Sequence, residues 1–293
     1  MKKSNIITQG FLNLTFVVLC LLVIFPFWLL LSVSFSSEAD IAAYGYLLFP
    51  KHIDLAAYKF VFENPTAIFN AYKVTAAFSI LSMVLSVLLM AMVAYPLSKT
   101  YFNGRRFVSM YLFFTMLFSG GLVPTYILNT QYLHLENNFW VYVLPSLLNP
   151  WYVFMMRAFF QGIPNEIGEA VMIDGGNEYT IFLKMILPLS KPVLATVALF
   201  TFLGKWNDWY TAMLYINDDE LVSLQYLLQR ILDNLDLLRN SGLVGKDLLK
   251  LSEIPSETTR MAMAVVVAGP ALLVFPFFQK YFVKGLTIGS VKG

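Results

Sequence analysis

The sequence predicts an all-α integral membrane protein with six transmembrane helices and both termini in the cytoplasm. Three observations carry that reading. Hydrophobic residues make up 58% of the 293-residue chain and charged residues only 13%, about half the charge of a soluble domain. The apolar residues come in long charge-free blocks. The basic residues near the ends of those blocks fall mostly on one side.

The blocks set the elements. Residues 4–37, 74–98, 107–135, 137–156 and 261–279 contain no Lys, Arg, Asp or Glu, and residues 192–214 contain only Lys205 and Asp208. About 20 apolar residues in a helix cross a bilayer. Hydrocarbon leaves no backbone polar group a water partner, so such blocks should be helical. The short alternating segments of a transmembrane barrel are absent. The expected spans are about 11–35, 74–97, 107–129, 139–160, 192–214 and 261–282. Lys2 and Lys3 precede the first block as they would in a signal peptide, but its apolar run far exceeds an h-region of about 7–15 residues. It is expected to be retained as a span.

Charge sets the orientation. With six spans, one side holds eleven basic residues (Lys2, Lys3, Lys99, Arg105, Arg106, Arg157, Lys184, Lys191, Lys280, Lys284 and Lys292) against four acids (Glu166, Glu169, Asp174 and Glu178). The other holds eight basic and thirteen acidic residues. The basic side is cytoplasmic. The chain then reads as a single transmembrane domain over 1–293, with inner loops at about 97–106 and 161–191. The outer loops, about 36–72, 130–139 and 215–260, should carry short interfacial helices. Cys20 lies inside the first block and is a small lipid- or helix-facing residue. His52 and His134 lack metal-ligand spacing and read as loop residues.

The inner loop 161–191 has the most structure in its pattern. Pro164 suits a first helical turn, and Asn165 and Glu166 suit a helix N-terminus. Ile163, Ile167, Ala170, Val171 and Asp174 share one face, and Gly175-Gly176 ends the helix. A second apolar-striped segment runs from about Glu178 to Leu187 and ends at Pro188. Ser190 and Pro192 read as the cap and first turn of the next span. The stripe on the first helix needs a cover, either lipid headgroups or a partner. Its acids fit an anionic leaflet poorly, which favours a cytoplasmic protein.

These residues carry a family resemblance. Glu169-Ala170-Val171, then Asp174-Gly175, then nine residues to Met185-Ile186-Leu187-Pro188 resembles the EAA loop of ABC importer permeases. Val171 replaces the second Ala of the family pattern and Met185 an Ile, both apolar exchanges. Trp206-Asn207-Asp208 and Lys284–Gly293 are similar to the carbohydrate-uptake branch, in its maltose-permease-G-like type, and the long loop 215–260 resembles permeases for complex saccharides, including polyuronides such as alginate.

The resemblance implies a type I ABC importer permease fold in a bacterial cytoplasmic (inner) membrane. It implies as partners a second homologous permease in a heterodimer, two ATPase subunits, an extracytoplasmic solute-binding protein and membrane lipid, with no nucleic acid. Glu166, Glu169, Ala170, Val171, Asp174, Gly175 and Gly176 would couple to an ATPase. No cofactor belongs to this chain, because ATP and Mg would be bound by the partner ATPases. The nearest thing to a phosphate loop, Gly242 to Lys246, is too short between its glycines, so the chain is expected not to be an enzyme.

Lys205, Trp206, Asn207, Asp208, Trp209 and Tyr210 are candidates for the pathway. Lys205 and Asp208, spaced i, i+3, are either self-paired structure or pathway lining. The aromatics are either a sugar-stacking surface or an interfacial belt. Two rival classes remain. A stand-alone secondary transporter would show internal repeats, and an intramembrane lipid-linked transferase would show clustered acids. Neither pattern is present.

Overall fold

The structure, a computed structural model, describes the backbone of residues 2–240 and 257–289 and the side chains of residues 8–237 and 257–279. The segment 242–246, most of the loop 215–260 beyond residue 240 and the last four residues of the chain lie outside the described residues. Among those described there is no β-strand, only an isolated bridge between Ser36 and Ile53.

Thirteen helices are traced among the described residues. They are α1 (Lys2–Ser34), α2 (Glu38–Tyr44), α3 (Ala56–Val61), α4 (Pro65–Ser98), α5 (Arg105–Leu117), α6 (Leu122–Tyr132), α7 (Pro150–Gln161), α8 (Glu166–Ile173), α9 (Glu178–Leu189), α10 (Lys191–Trp206), α11 (Tyr210–Tyr215), α12 (Leu224–Asn240) and α13 (Glu257–Gly289). Stretches within α1, α4 and α13 are long and apolar enough to cross a membrane. Two bent pairs, α5 with α6 at 114° and α9 with α10 at 77°, raise the number of candidate spans to five.

Three expected spans are not continuous helices, and each break has a local cause. Within 107–129, α5 stops before Gly120-Gly121, and Gly121 has φ +88, a value no helix accommodates. Within 139–160, residues 139–146 form two short 3-10 turns, and α7 starts only at Pro150. Asn149 caps it, its Oδ1 accepting from the Trp151 amide at 2.9 Å. Within 192–214, the helix breaks at 207–209.

The chain divides into two compact units, Met1–Pro65 with Leu228–Pro270 and Thr66–Leu227 with Ala271–Gly293. In the first, the loop after α1 folds back on the helix. The Trp28 indole donates to the Leu48 carbonyl and the Ser32 hydroxyl to that of Leu47. The Glu38 carboxylate accepts from the Glu257 and Thr258 amides and from the Thr258 hydroxyl. It thus satisfies free donors at the start of α13. The short helices α2 and α3, and α12, occupy the loops where interfacial helices are expected.

The second unit holds two packed clusters. One joins Met90, Ala94 and Leu97 of α4 to Met156 and Phe160 of α7, Ile181 and Ile186 of α9 and Val197 of α10. The other gathers Phe78, Val141, Tyr142, Ala212 and Tyr215, with the Phe78 and Tyr142 rings stacked at 4.2 Å. Between apolar helices in lipid the gain is close van der Waals packing, which small residues permit. Thr75, Ser79, Ser82 and Ser86 supply them along α4, all buried.

Candidate functional site

The segment between α7 and α10 is built from its glycines outward. α8 starts at Glu166, so Pro164 precedes the helix rather than opening it, and Asn165 makes no side-chain cap. Glu166 and Glu169 lie in the first turn, where the helix dipole favours acids. At the other end the Gly175 amide donates to the Met172 carbonyl at 3.0 Å and the Gly176 amide to that of Val171 at 2.8 Å. These paired bonds make a Schellman turn, and Gly175 holds the left-handed φ of +82 it requires. A Cβ on Gly176 would stand 2.5 Å from Val171 Cγ1 and 2.9 Å from the Val171 carbonyl oxygen. Neither glycine is replaceable without strain.

Asn177 then caps α9, its Oδ1 accepting from the Thr180 amide at 2.9 Å. α9 runs past Pro188 to Leu189, through one π-helical turn at Phe182–Ile186. Pro188 is therefore inside the last turn, not its end. Ser190 sits at the 77° bend as expected for a cap residue, but it caps nothing. Its hydroxyl is buried and makes no hydrogen bond with a described residue.

The expected stripe on α8 is covered in part by the chain itself. Ile163 and Val171 pack on the cluster of α4, α7, α9 and α10, and Ile167 is half-buried. The apolar groups left bare are Ile173, 86% exposed, and Met172, 47% exposed. Ala170, Glu166, Glu169, Asp174 and Gly175 are exposed with them. The three carboxylates make no hydrogen bond or ion pair with any described residue. The open surface is therefore acidic and apolar, and it keeps Ala170 and Asp174 of the expected stripe while Ile163, Ile167 and Val171 turn toward the chain.

One interaction here was not legible in the sequence. Both Glu178 oxygens are occupied: Oε2 accepts from the Tyr95 hydroxyl and Oε1 from the Tyr101 hydroxyl, each at 2.5 Å. Desolvation and the bond to Glu178 push the Tyr101 hydroxyl up to about 12. The two tyrosines are 83 and 77 residues from Glu178, and no spacing rule joins them.

The second candidate group lies at the break between α10 and α11. Lys205 Nζ donates to the Tyr142 carbonyl at 2.5 Å and stands 3.8 Å from Asp208 Oδ2. Asp208 accepts from the Thr211 amide at 3.0 Å and the Thr211 hydroxyl at 2.7 Å. Its carbonyl accepts from the Ser223 hydroxyl at 3.0 Å. The lysine thus satisfies a carbonyl at the end of a 3-10 turn, and the aspartate satisfies an amide in the first turn of α11. The pair closes on the chain itself. Trp206 is 4% exposed and packs against Phe202 and Tyr72, so it offers no stacking face. Trp209 and Tyr210 do, at 43% and 44% exposed. Asn207 accepts from Gln225 at 3.0 Å and donates to the Leu203 carbonyl at 2.9 Å. No group of three or more His, Cys, Asp or Glu that could hold a metal occurs among the described residues.

Comparison with known proteins gives this helical framework its relatives. The chain is 38% identical over 270 residues to Protein LplC of Bacillus subtilis, covering 92% of this chain and 90% of that one. It is 36% identical to the polygalacturonan/rhamnogalacturonan transport system permease protein YtcP of the same organism, covering 100% and 99%. Among solved structures, a bacterial ABC transporter involved in the import of the acidic polysaccharide alginate has a chain that superposes with a TM-score of 0.78. It shares 28% identity and covers 95% of this chain and 98% of its own. The family described as binding-protein-dependent transport system inner membrane component matches residues 63–288, which include α8, its glycine turn and the Lys205–Asp208 break. The chain belongs to that family, whose members are the membrane-embedded permease subunits of ABC importers and not enzymes.

Proposed function

We propose that this chain is one of two permeases lining the pathway of an ATP-driven saccharide importer, and that α8 is where it docks on an ATPase subunit. The exposed face of α8 carries the proposal. Glu166, Glu169 and Asp174 have no partner among the described residues, and they surround Ile173 on a helix anchored to the membrane core by its other side. A cationic groove with an apolar floor on a partner fits that face. ATP and Mg belong to that partner, and this chain carries no cofactor of its own.

ATP-driven closure of the ATPase pair would move α8, and through it the helices packed on it, as one body between inward-open and outward-open states. The remaining subunits are a second homologous permease and an extracytoplasmic solute-binding protein. Six spans with both termini in the cytoplasm place α8 on the ATPase side, as the distribution of Lys and Arg supports. The relatives' names support a saccharide cargo, an oligosaccharide or a polyuronide such as alginate or polygalacturonan. Trp209 and Tyr210 offer exposed rings on which a sugar could stack.

The test is purification of the tagged chain from its native membrane in mild detergent, with mass spectrometry of what accompanies it. Recovery of an ATPase, a second permease and a saccharide-binding protein supports the proposal. Recovery of the chain alone, under conditions that keep related importers whole, overturns it.

A further inference from the structure

Three guanidiniums, those of Arg105, Arg106 and Arg157, line one cavity of about 740 Å³ together with Met110, Phe113 and Phe154. No carboxylate of a described residue lines this cavity. Among the described residues, the one side-chain hydrogen bond these arginines make is from Arg157 Nη1 to the Ser109 hydroxyl at 2.8 Å. Arg105 is close enough to Arg157 to act on its charge. Arginine does not lose its proton in proteins. Three like charges gathered without a counter-charge repel one another unless an anion joins them.

The place of the cavity narrows the kind of anion. α4 ends at Ser98, α5 begins at Arg105 and α7 ends at Gln161, so the cavity sits at the common end of three apolar helices. That is the boundary between water and hydrocarbon, not the middle of the bilayer. Arg105 opens a helix of 13 residues whose N-cap, Gly104, offers no side-chain acceptor. First-turn amides therefore add to the positive field. Planar guanidiniums match the oxygens of a phosphate group in paired hydrogen bonds. Met110 and Phe113, 60% and 49% exposed, continue from the charged end along the helix as an apolar strip.

We propose that this cavity binds a phosphate-type oxyanion, supplied in the membrane by the headgroup of an anionic lipid whose acyl chain lies along Met110 and Phe113. The site is separate from α8 and from the Lys205–Asp208 break. It requires only that the chain be embedded in a bilayer.

Native mass spectrometry of the full chain, purified with whatever subunits accompany it, tests the site. Phosphatidylglycerol, phosphatidylcholine or inorganic phosphate would be added in turn. The expected result is retention of phosphatidylglycerol over phosphatidylcholine, falling about fivefold for each arginine removed in R105Q, R106Q and R157Q. Replacing the arginines with lysine should preserve part of the retention. Arg106 is exposed, so R106Q folds even if the triple variant does not, and its single decrement reads the same effect. Saturable binding of inorganic phosphate without lipid, lost in the same variants, supports the oxyanion site and assigns its source to the free ion. Equal phosphatidylglycerol retention by the parent and R106Q overturns the proposal. So does a cross-link showing that a carboxylate of another subunit fills the cavity.

Discussion

The Tyr95 hydroxyl donates to Glu178 at 2.5 Å, so the end of α4 and the start of α9 share one carboxylate, which Tyr101 binds from the turn that follows α4. Glu178 begins the helix immediately after the α8 glycine turn. The bond therefore ties the end of a candidate span to the segment proposed to receive the ATPase stroke.

Removing it should weaken the response of ATP use to substrate. A hydrogen bond to a charged group contributes about 1.5–3 kcal/mol net. Y95F is expected to lower stability by about 1.5 kcal/mol and to weaken substrate-stimulated ATPase activity while leaving ATPase attachment intact. E178A strands two hydroxyls and should cost more. A double-mutant cycle between the two should give a coupling near 1 kcal/mol, and zero coupling would show that the two side chains act independently.

The same carboxylate sets a pH dependence. The folded-state value of Tyr101 is raised from 10.0 to about 12. Its contribution is therefore complete below pH 10 and is lost as pH rises toward 12. The stability difference between the parent and Y101F should stay constant to pH 10 and then shrink. Melting curves across that range measure it, and a difference that grows with pH would contradict the assignment.

At the glycine turn, G175A places a Cβ in the left-handed region, at a cost of about 1–2 kcal/mol. G176A should be worse, because the contact at 2.9 Å is with backbone that cannot swing away. Both variants should reduce ATPase recovery in pull-downs from detergent, G176A more than G175A. The reverse order would mean that φ outweighs the close contact.

Ile173 separates docking from folding. It is 86% exposed, so I173D should leave the melting temperature within the range of ordinary surface changes, about 0.5 kcal/mol. ATPase recovery should fall at least tenfold, and E169R should act in the same direction. V171D instead puts a charge among packed side chains and should unfold the segment. If I173D left ATPase recovery intact, the docking face would lie elsewhere.

Lys205 and Asp208 should behave as a structural pair. D208A leaves a lysine, its side chain 13% exposed, with only the Tyr142 carbonyl, at a cost of about 3 kcal/mol. The double variant K205M/D208A should recover part of that loss in thermal stability. A double variant no more stable than D208A would favour an independent role for the lysine in the pathway.

The helical membrane class, the break-rich loop 161–191 and the role of Gly175-Gly176 were legible because each rests on local rules of length, charge and turn chemistry. The interruptions of the third, fourth and fifth blocks also had local signals: Gly120-Gly121, Asn149-Pro150 and Asn207-Asp208. Charge-free length alone overrode them. The cover of the α8 stripe was legible only in part, for a different reason. Periodicity shows which residues share a face but not which side the rest of the chain covers, and Ile163 and Val171 turn inward while Ile173 is left bare.

By itself, then, the sequence determined that this is a helical membrane protein, which block ends carry positive charge, and where a short acidic helix must stop at two glycines. Those outcomes depend on solvent preference and backbone sterics, which act within a turn or a span. Only the tertiary structure decided that Glu178 is held by Tyr95 and Tyr101, that Lys205 serves the Tyr142 carbonyl, and that three arginines share one cavity. Each of these joins residues 51 to 83 positions apart. What brings such residues together is the packing of whole helices, which no local pattern records.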